Sequence, residues 1–420
     1  MHGLDWGGRS VESSQGFNMN LSSRLDYFTF YGILSTLFVA PFSVALKEIF
    51  LDLTILFWIL QLWRQKNRFQ IPKLGWAFLF FLLVTLLSVI ASEYKAEAIR
   101  GFWGVASYTA LFFIVCQTVH SPERVKKVIW VLILSTTLWA LAGMIHQYLI
   151  LKKDFYGLLK FFSLGNKNAI GQYLQMILSI MVGIWMGRSF GAGERRLLLG
   201  AILICLGALF LSSSKTMWIA FFITLLLFSC LKKSRVVLAG TTVLLGILVG
   251  ATFLSPQVSE MGAHIVNFAH APSMQERYLG WEKSYLMFLD NPIFGVGPKC
   301  YMEARDKYQV PAYFGQAHNM ILHVACEMGL LGVAGLFIWI GVYARFIGTY
   351  RRRTKAPLFT DLWFGGVGYL VTLAIGGLTE PTIGGEHSML FMTVAAMLHG
   401  GISRSENEGP AAGVDPRLDS

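Results

Sequence analysis

Residues 314–342 read FGQAHNMILHVACEMGLLGVAGLFIWIGV. Most of this run is apolar, and it exceeds the roughly 20 residues a helix needs to cross a hydrocarbon core of about 30 Å. Yet it opens with His318 and Asn319 and carries His323 and Glu327 soon after. Polar and ionisable groups are costly inside a bilayer, and those that occur there face protein or a water-filled cavity. The stretch therefore predicts a membrane span whose first turns stand at an interface, beside a polar site.

Similar apolar runs recur along the 420 residues. The chain is 55% hydrophobic and 14% charged, where ordinary soluble domains carry about 25% charged residues. Twelve spans are expected, at 27–46, 49–63, 74–92, 101–119, 126–150, 168–187, 196–212, 214–231, 236–254, 318–344, 359–379 and 386–403. Pro41 and several glycines fall inside them, which membrane helices tolerate better than soluble ones. The fold class is thus an all-α polytopic membrane protein with about 12 transmembrane helices and one large loop. In chain order, 1–26 is a polar tail and 27–254 holds the first nine spans. Residues 255–317 form the long loop, 318–403 the last three spans, and 404–420 a Gly/Pro-containing tail expected to be disordered. No cleaved signal is expected ahead of the first span.

Basic residues divide unevenly between alternate short loops, 18 in one set against 8 in the other. The richer set should be cytoplasmic, along with both termini. That puts the long loop outside, which in a bacterium means the periplasm or cell exterior. The net charge of +11 is then mostly a topology signal rather than a nucleic-acid footprint. Five cysteines without a CxxC pair support neither a zinc site nor a redox motif.

Cations on the outer side need another explanation. Lys215, in LFLSSSKTMWIAFF, opens a span after a minimal turn; it either snorkels to the headgroups or marks a site. Arg277 begins a segment in which Tyr278, Trp281, Tyr285, Phe288 and Leu289 recur at helical spacing. This reads as an amphipathic helix on the membrane face of the loop, ended by the DNP at 290–292. Arg277 either pairs with Glu276 or Glu282 or binds a ligand. His323 and Glu327, four residues apart, share a helix face. A third metal ligand is lacking, so packing and a structural hydrogen bond are the leading readings for this pair.

Lysine and arginine neutralise phosphate oxygens, and a histidine is the usual base for a hydroxyl. A sugar leaving a lipid-linked diphosphate departs from a stable anion, which needs charge neutralisation more than a proton. Cations and one histidine at an outer membrane face suit sugar transfer from a polyprenyl diphosphate.

The segments ERYLGWEKSYLMFLDNPIFGVGPKCY (276–301) and AHNMILHVACEMGLLGVAG (317–335) resemble the signature region of the O-antigen ligase and polymerase superfamily. The resemblance covers about residues 205–340, with an Arg-to-Trp helix, an NPxxGxGP turn and an HN…ExGxxG span in order. It implies a GT-C-like, metal-independent, inverting glycosyltransferase with no cofactor. The donor would be an undecaprenyl-diphosphate-linked glycan and the acceptor lipid A–core, both met at the bilayer. On the matching positions it implies His318 as the base with Asn319 orienting the acceptor, and Arg277 on the diphosphate. Lys215 stands where the family commonly has arginine. Arg100 lies outside the motif but would reach the same diphosphate. A polysaccharide polymerase and a protein O-oligosaccharyltransferase share this donor chemistry and stay open. A transporter would need paired broken spans with ionisable residues near the midplane, and no such symmetry is evident.

Overall fold

The computed structural model describes residues 21–65, 71–150, 152, 166–254, 272–311, 314–354, 356–382 and 384–407. Most of both tails and residues 255–271 of the long loop lie outside the described residues, as do Lys153 and Lys160. Among the described residues the regular structure is entirely helical. It comprises α1 (Leu21–Val39), α2 (Val44–Gln65), α3 (Lys73–Ala91), α4 (Lys95–Thr118), α5 (Pro122–Met144), α6 (Lys167–Met186) and α7 (Ala192–Leu211). Then follow α8 (Lys215–Lys232), α9 (Arg235–Leu254), α10 (Pro272–Asp290), the short α11 (Tyr301–Ala304), α12 (Met320–Tyr350), α13 (Pro357–Val371) and α14 (Gly385–Asn407).

Each expected span coincides with a helix, with informative differences at the ends. The run at 27–46 is two elements: α1 stops at Val39, and Pro41 sits in the turn to α2, because proline lacks an amide donor and its ring clashes with the carbonyl four residues back. Seven of the described helices are long and apolar enough to cross a membrane: α3, α4, α5 with its π-helical extension, α6, α8, α12, and α13 with its own. The amphipathic segment of the loop is α10, which begins earlier than Arg277 and ends at Asp290, ahead of Pro292.

The helix N-termini explain themselves locally. Ser121 caps α5 ahead of Pro122, and Asn166 caps α6 through its side-chain oxygen. Such caps satisfy amides that the helix leaves unpaired. At the centre, α6 is the most buried span and packs tightly on α13. Ser179, Gly183 and Gly187 face Gly365, Gly368 and Asp361, and a Cβ on Gly183, Gly365 or Gly368 would collide with the opposite helix. Small residues at this spacing let membrane helices approach closely. Large apolar side chains lie exposed on the outside of the bundle, among them Leu56, Ile59 and Trp63 of α2 and Trp76, Leu83 and Ile90 of α3. Such a surface suits hydrocarbon rather than water.

Residues 320–342 make up most of α12, and the helix is broken. Gly329 has φ +65° and ψ −162° in the middle of it. The freed backbone groups are taken up by the turn at 292–297. Val296 and Gly297 donate their amides to the carbonyls of Cys326 and Glu327, both at 2.9 Å, and Leu330 donates to Pro292 at 2.8 Å. Ser88 of α3 donates to Phe294 O at 2.7 Å and Ser92 to Val296 O at 2.6 Å. Irregular backbone at membrane depth requires such internal satisfaction. Gly295, with φ +68°, lies against the Glu327 carbonyl and Gly329 against Ile293, so a Cβ at either would strike backbone. The NPIFGVGP and CEMGLLG segments are thus two halves of one clasp.

Polar contacts sort the helix ends into two groups. Lys47 of α2 meets Glu386 of α14, Asn168 of α6 meets Ser214 ahead of α8, and Met320 N of α12 donates to Gly377 O. The even-numbered helices α2, α4, α6, α8, α12 and α14 therefore begin at one end, where the long loop also lies. At the other end Arg124 pairs with Asp26 and Lys126 with Glu194.

Candidate functional site

The first of these ends holds a cluster built on Glu380, a residue that sequence reasoning did not single out. Glu380 follows the π-helical turn Thr372–Gly376 that ends α13, and its amide donates to Gly376 O at 2.9 Å. Its side chain is 4% exposed. Asn168 Nδ2 donates to Glu380 Oε1 at 2.6 Å, and His318 Nδ1 lies 2.8 Å from the same oxygen. Gln316 donates to Oε2, and the Arg277 guanidinium stands 4.0 Å from Oε1. A buried carboxylate normally needs such partners to remain ionised.

The geometry specifies the histidine. A carboxylate accepts only from an N–H, so the contact puts the His318 proton on Nδ1 and leaves Nε2 as the basic nitrogen. This is the base-and-orienter relationship of hydrolytic triads. His318 itself has φ +49°, a left-handed conformation that few non-glycine residues adopt and that recurs at functional sites. The ring also meets Phe314 edge to face, with centroids 5.8 Å apart.

Arg277 projects from α10 into this cluster. Burial pushes its guanidinium down from the usual arginine value, and Glu380 opposes that shift. Lys215, half-buried, is the first residue of α8. It adjoins the cluster through Ser214, whose hydroxyl donates to Asn168 Oδ1 at 2.9 Å. Asn319 neighbours His318, but its side chain is engaged locally: it caps α12 by accepting from Leu322 N at 3.1 Å. Arg100 stands apart. Its side chain is 69% exposed and donates to Glu97 Oε2 at 2.6 Å. It lines a neighbouring cavity of about 590 Å³, whose wall also includes Gln316 and Pro381, next to Glu380 in space or sequence.

His323 and Glu327 also line that cavity. Glu327 accepts the amides of Lys299 at 2.9 Å and Tyr301 at 3.1 Å, with His323 Nε2 at 3.6 Å. The carboxylate thus pins the turn after the clasp to α12. Tyr301 beside it is buried, and its hydroxyl is pushed up to about 12.

Besides Glu380, sequence reasoning passed over Asn168, Gln316 and Glu386, and it counted Lys47 among the outer-side cations without giving it a role. Glu380 and Glu386 had a visible signal, since both stand in GLTEPTIGGEHS (377–388), a short polar connection between apolar runs. Asn168 and Gln316 had none, since an amide near a span end is common.

Fold and site together define a polytopic helical membrane protein with an oriented histidine and two cations at one end of the bundle. Residues 200–337, about a third of the chain, match the family model described as O-antigen ligase, which supports the resemblance to the O-antigen ligase and polymerase superfamily. The matched segment runs from α7 into α12. It holds Lys215, Arg277, His318 and Asn319, and leaves Arg100 and Glu380 outside. No curated protein matches the chain.

Proposed function

We propose that the protein is an O-antigen ligase of GT-C-like type. It transfers polysaccharide from undecaprenyl diphosphate to a sugar hydroxyl of lipid A–core, with inversion and without a metal or cofactor. One observation carries this reading: His318 and Arg277 approach the same buried carboxylate, Glu380, from different elements. In the reaction His318 Nε2 takes the proton of the acceptor hydroxyl. The oxygen attacks the anomeric carbon from the face opposite the diphosphate, and the bond from that carbon to the diphosphate oxygen breaks. Arg277 and Lys215 receive the charge of the departing diphosphate, and Arg100 lies further out on the same side. Glu380 stabilises the imidazolium that forms, and the proton returns to water. Asn319 sets the position of His318 by capping α12.

The site faces the periplasm of the bacterial inner membrane, with both termini cytoplasmic. In support, the short loops richest in Lys and Arg belong to the helix ends opposite Glu380.

Purified protein in liposomes, given lipid-linked polysaccharide and lipid A–core, tests the assignment. Full ligation by His318→Ala removes the histidine as base. Arg277→Ala should weaken binding of the diphosphate lipid, and unchanged binding takes Arg277 out of the donor site. Polymerase and protein transferase use the same donor, so a deletion strain separates them. Loss of all capped chains with accumulation of lipid-linked polymer marks the ligase. A single repeat still attached to the core marks the polymerase.

A further inference from the structure

The cavity beside the Glu380 cluster is unused by the mechanism above. Its volume of about 590 Å³ lies within the range of small-molecule sites, about 300–1,000 Å³. It is bounded by α2, α4, α12, α14 and the turn at 298–303.

Its cations are already paired. Lys47, 2% exposed, donates to Tyr108 Oη at 2.9 Å and to Glu386 Oε1 at 3.2 Å. Glu97 pairs with Arg100 at 2.6 Å and with Lys299 at 3.2 Å. Five carboxylates and three Lys or Arg side chains line the space, so the wall does not call for an anion. Carboxylates and ammonium groups instead present acceptors and donors suited to hydroxyls.

Two further features point to a ligand. Trp339, 4% exposed, and His323 both line the cavity, and the Trp339 indole N–H and His323 Nδ1 have no hydrogen-bond partner among the described residues. Buried polar atoms without a partner are rare and need an explanation. Gly104 supplies the second. On the α4 face shared with Arg100 and Tyr108, a Cβ at Gly104 would meet nothing within 4 Å. Three residues earlier, a Cβ on Gly101 would strike the Pro298 carbonyl. Glycine in a helix interior costs about 1 kcal/mol relative to alanine. At Gly101 close packing accounts for it, whereas at Gly104 the only consequence is open space.

We propose that this cavity is a subsite for uncharged sugar residues of the acceptor glycan. Sugar hydroxyls meet the paired side chains at the rim, and the C–H faces of the rings meet the aromatic wall that includes Tyr108, Tyr301 and Trp339. Gln316 belongs both to the cavity wall and to the Glu380 cluster, so an acceptor held here has a hydroxyl within reach of His318. The identity of the occupant as acceptor rests on the function proposed above; the binding of sugar does not.

Photo-crosslinking without turnover tests it. The full-length protein in nanodiscs is labelled with a panel of neutral trisaccharides carrying a diazirine, including one from dephosphorylated lipopolysaccharide core. At least one probe is expected to label peptides of α4 or α12, with competition by its unlabelled parent and not by decanol or by the phosphorylated core sugar. Gly104→Trp should abolish this labelling while binding of a polyprenyl diphosphate persists, and Gly104→Leu should reduce it. His318→Ala should label normally. Absence of cavity labelling across the panel, competition by decanol, equal competition by the phosphorylated sugar, or full labelling of both Gly104 variants overturns the proposal. Saturable labelling in a protein that transfers no glycan keeps the sugar subsite and removes the transferase reading; transfer without labelling does the reverse.

Discussion

His318 Nδ1 lies 2.8 Å from Glu380 Oε1, across 62 positions of chain. The contact joins the residue just before α12 to the turn just after α13. It gives the imidazole one tautomer and one direction, neither of which a histidine at a loop edge would otherwise hold.

If the two residues act as one unit, their losses will not add. His318→Ala should lower transfer about 10²- to 10⁴-fold, the usual contribution of a general base. Glu380→Ala should fall in the same range, and the double variant should be no worse than His318→Ala alone. Turnover at saturating donor in liposomes measures this. Multiplicative losses would mean that Glu380 acts elsewhere, for instance in holding Arg277.

Asn319 has a cap to provide. Asn319→Ala should destabilise the protein by about 1 kcal/mol, the typical loss for such a cap, read as a lower midpoint of thermal unfolding in detergent. Asn319→Ser should recover most of it. Recovery of stability without recovery of transfer would show that the carboxamide also touches substrate.

The buried pair of Lys47 and Glu386 makes a different prediction. Lys47→Met leaves Glu386 uncompensated and should cost about 3–5 kcal/mol, whereas Lys47→Met with Glu386→Leu should restore most of that stability. Unfolding of the single and double variants in the same detergent decides it. A single variant as stable as the parent would mean that water reaches Glu386.

At the clasp, Gly329→Ala forces a Cβ into a left-handed backbone position, which alone costs about 1–3 kcal/mol, and it meets the Ile293 backbone besides. Loss of folded protein on size-exclusion after mild heating is the expected result, and Gly295→Ala should behave alike. Gly341→Ala on the same helix is the control. Its Cβ would meet nothing within 4 Å, so stability should hold or rise slightly. Equal tolerance at Gly329 and Gly341 would remove the clasp as the reason for glycine.

Span positions, the amphipathic helix of the loop and the polar character of its end were legible in the sequence. Each follows from a local property: the length of an apolar run, helical periodicity, or proline after DN. The uneven distribution of Lys and Arg likewise groups the loops into two sets, because that signal is a simple count along the chain. Arg277 and His318, which the fold brings to one carboxylate, were singled out through motif resemblance and expected outward placement.

What the tertiary structure alone decided is how distant groups satisfy one another. Glu327 reads as a structural hydrogen-bonding group on a helix face, and only the fold shows that its two oxygens take the Lys299 and Tyr301 amides. Asn319 reads as an orienting group, and only the fold shows that its carboxamide oxygen also caps α12. Glu380, Asn168 and Gln316 carry no local pattern, because a buried carboxylate's partners come from wherever the fold can bring them. The same holds for Gly329, whose break in α12 is tolerable only because a segment about thirty residues earlier supplies the missing hydrogen bonds. Hydrophobic periodicity acts locally and is written along the chain; the pairing of buried polar groups acts through space and is settled only when the helices pack.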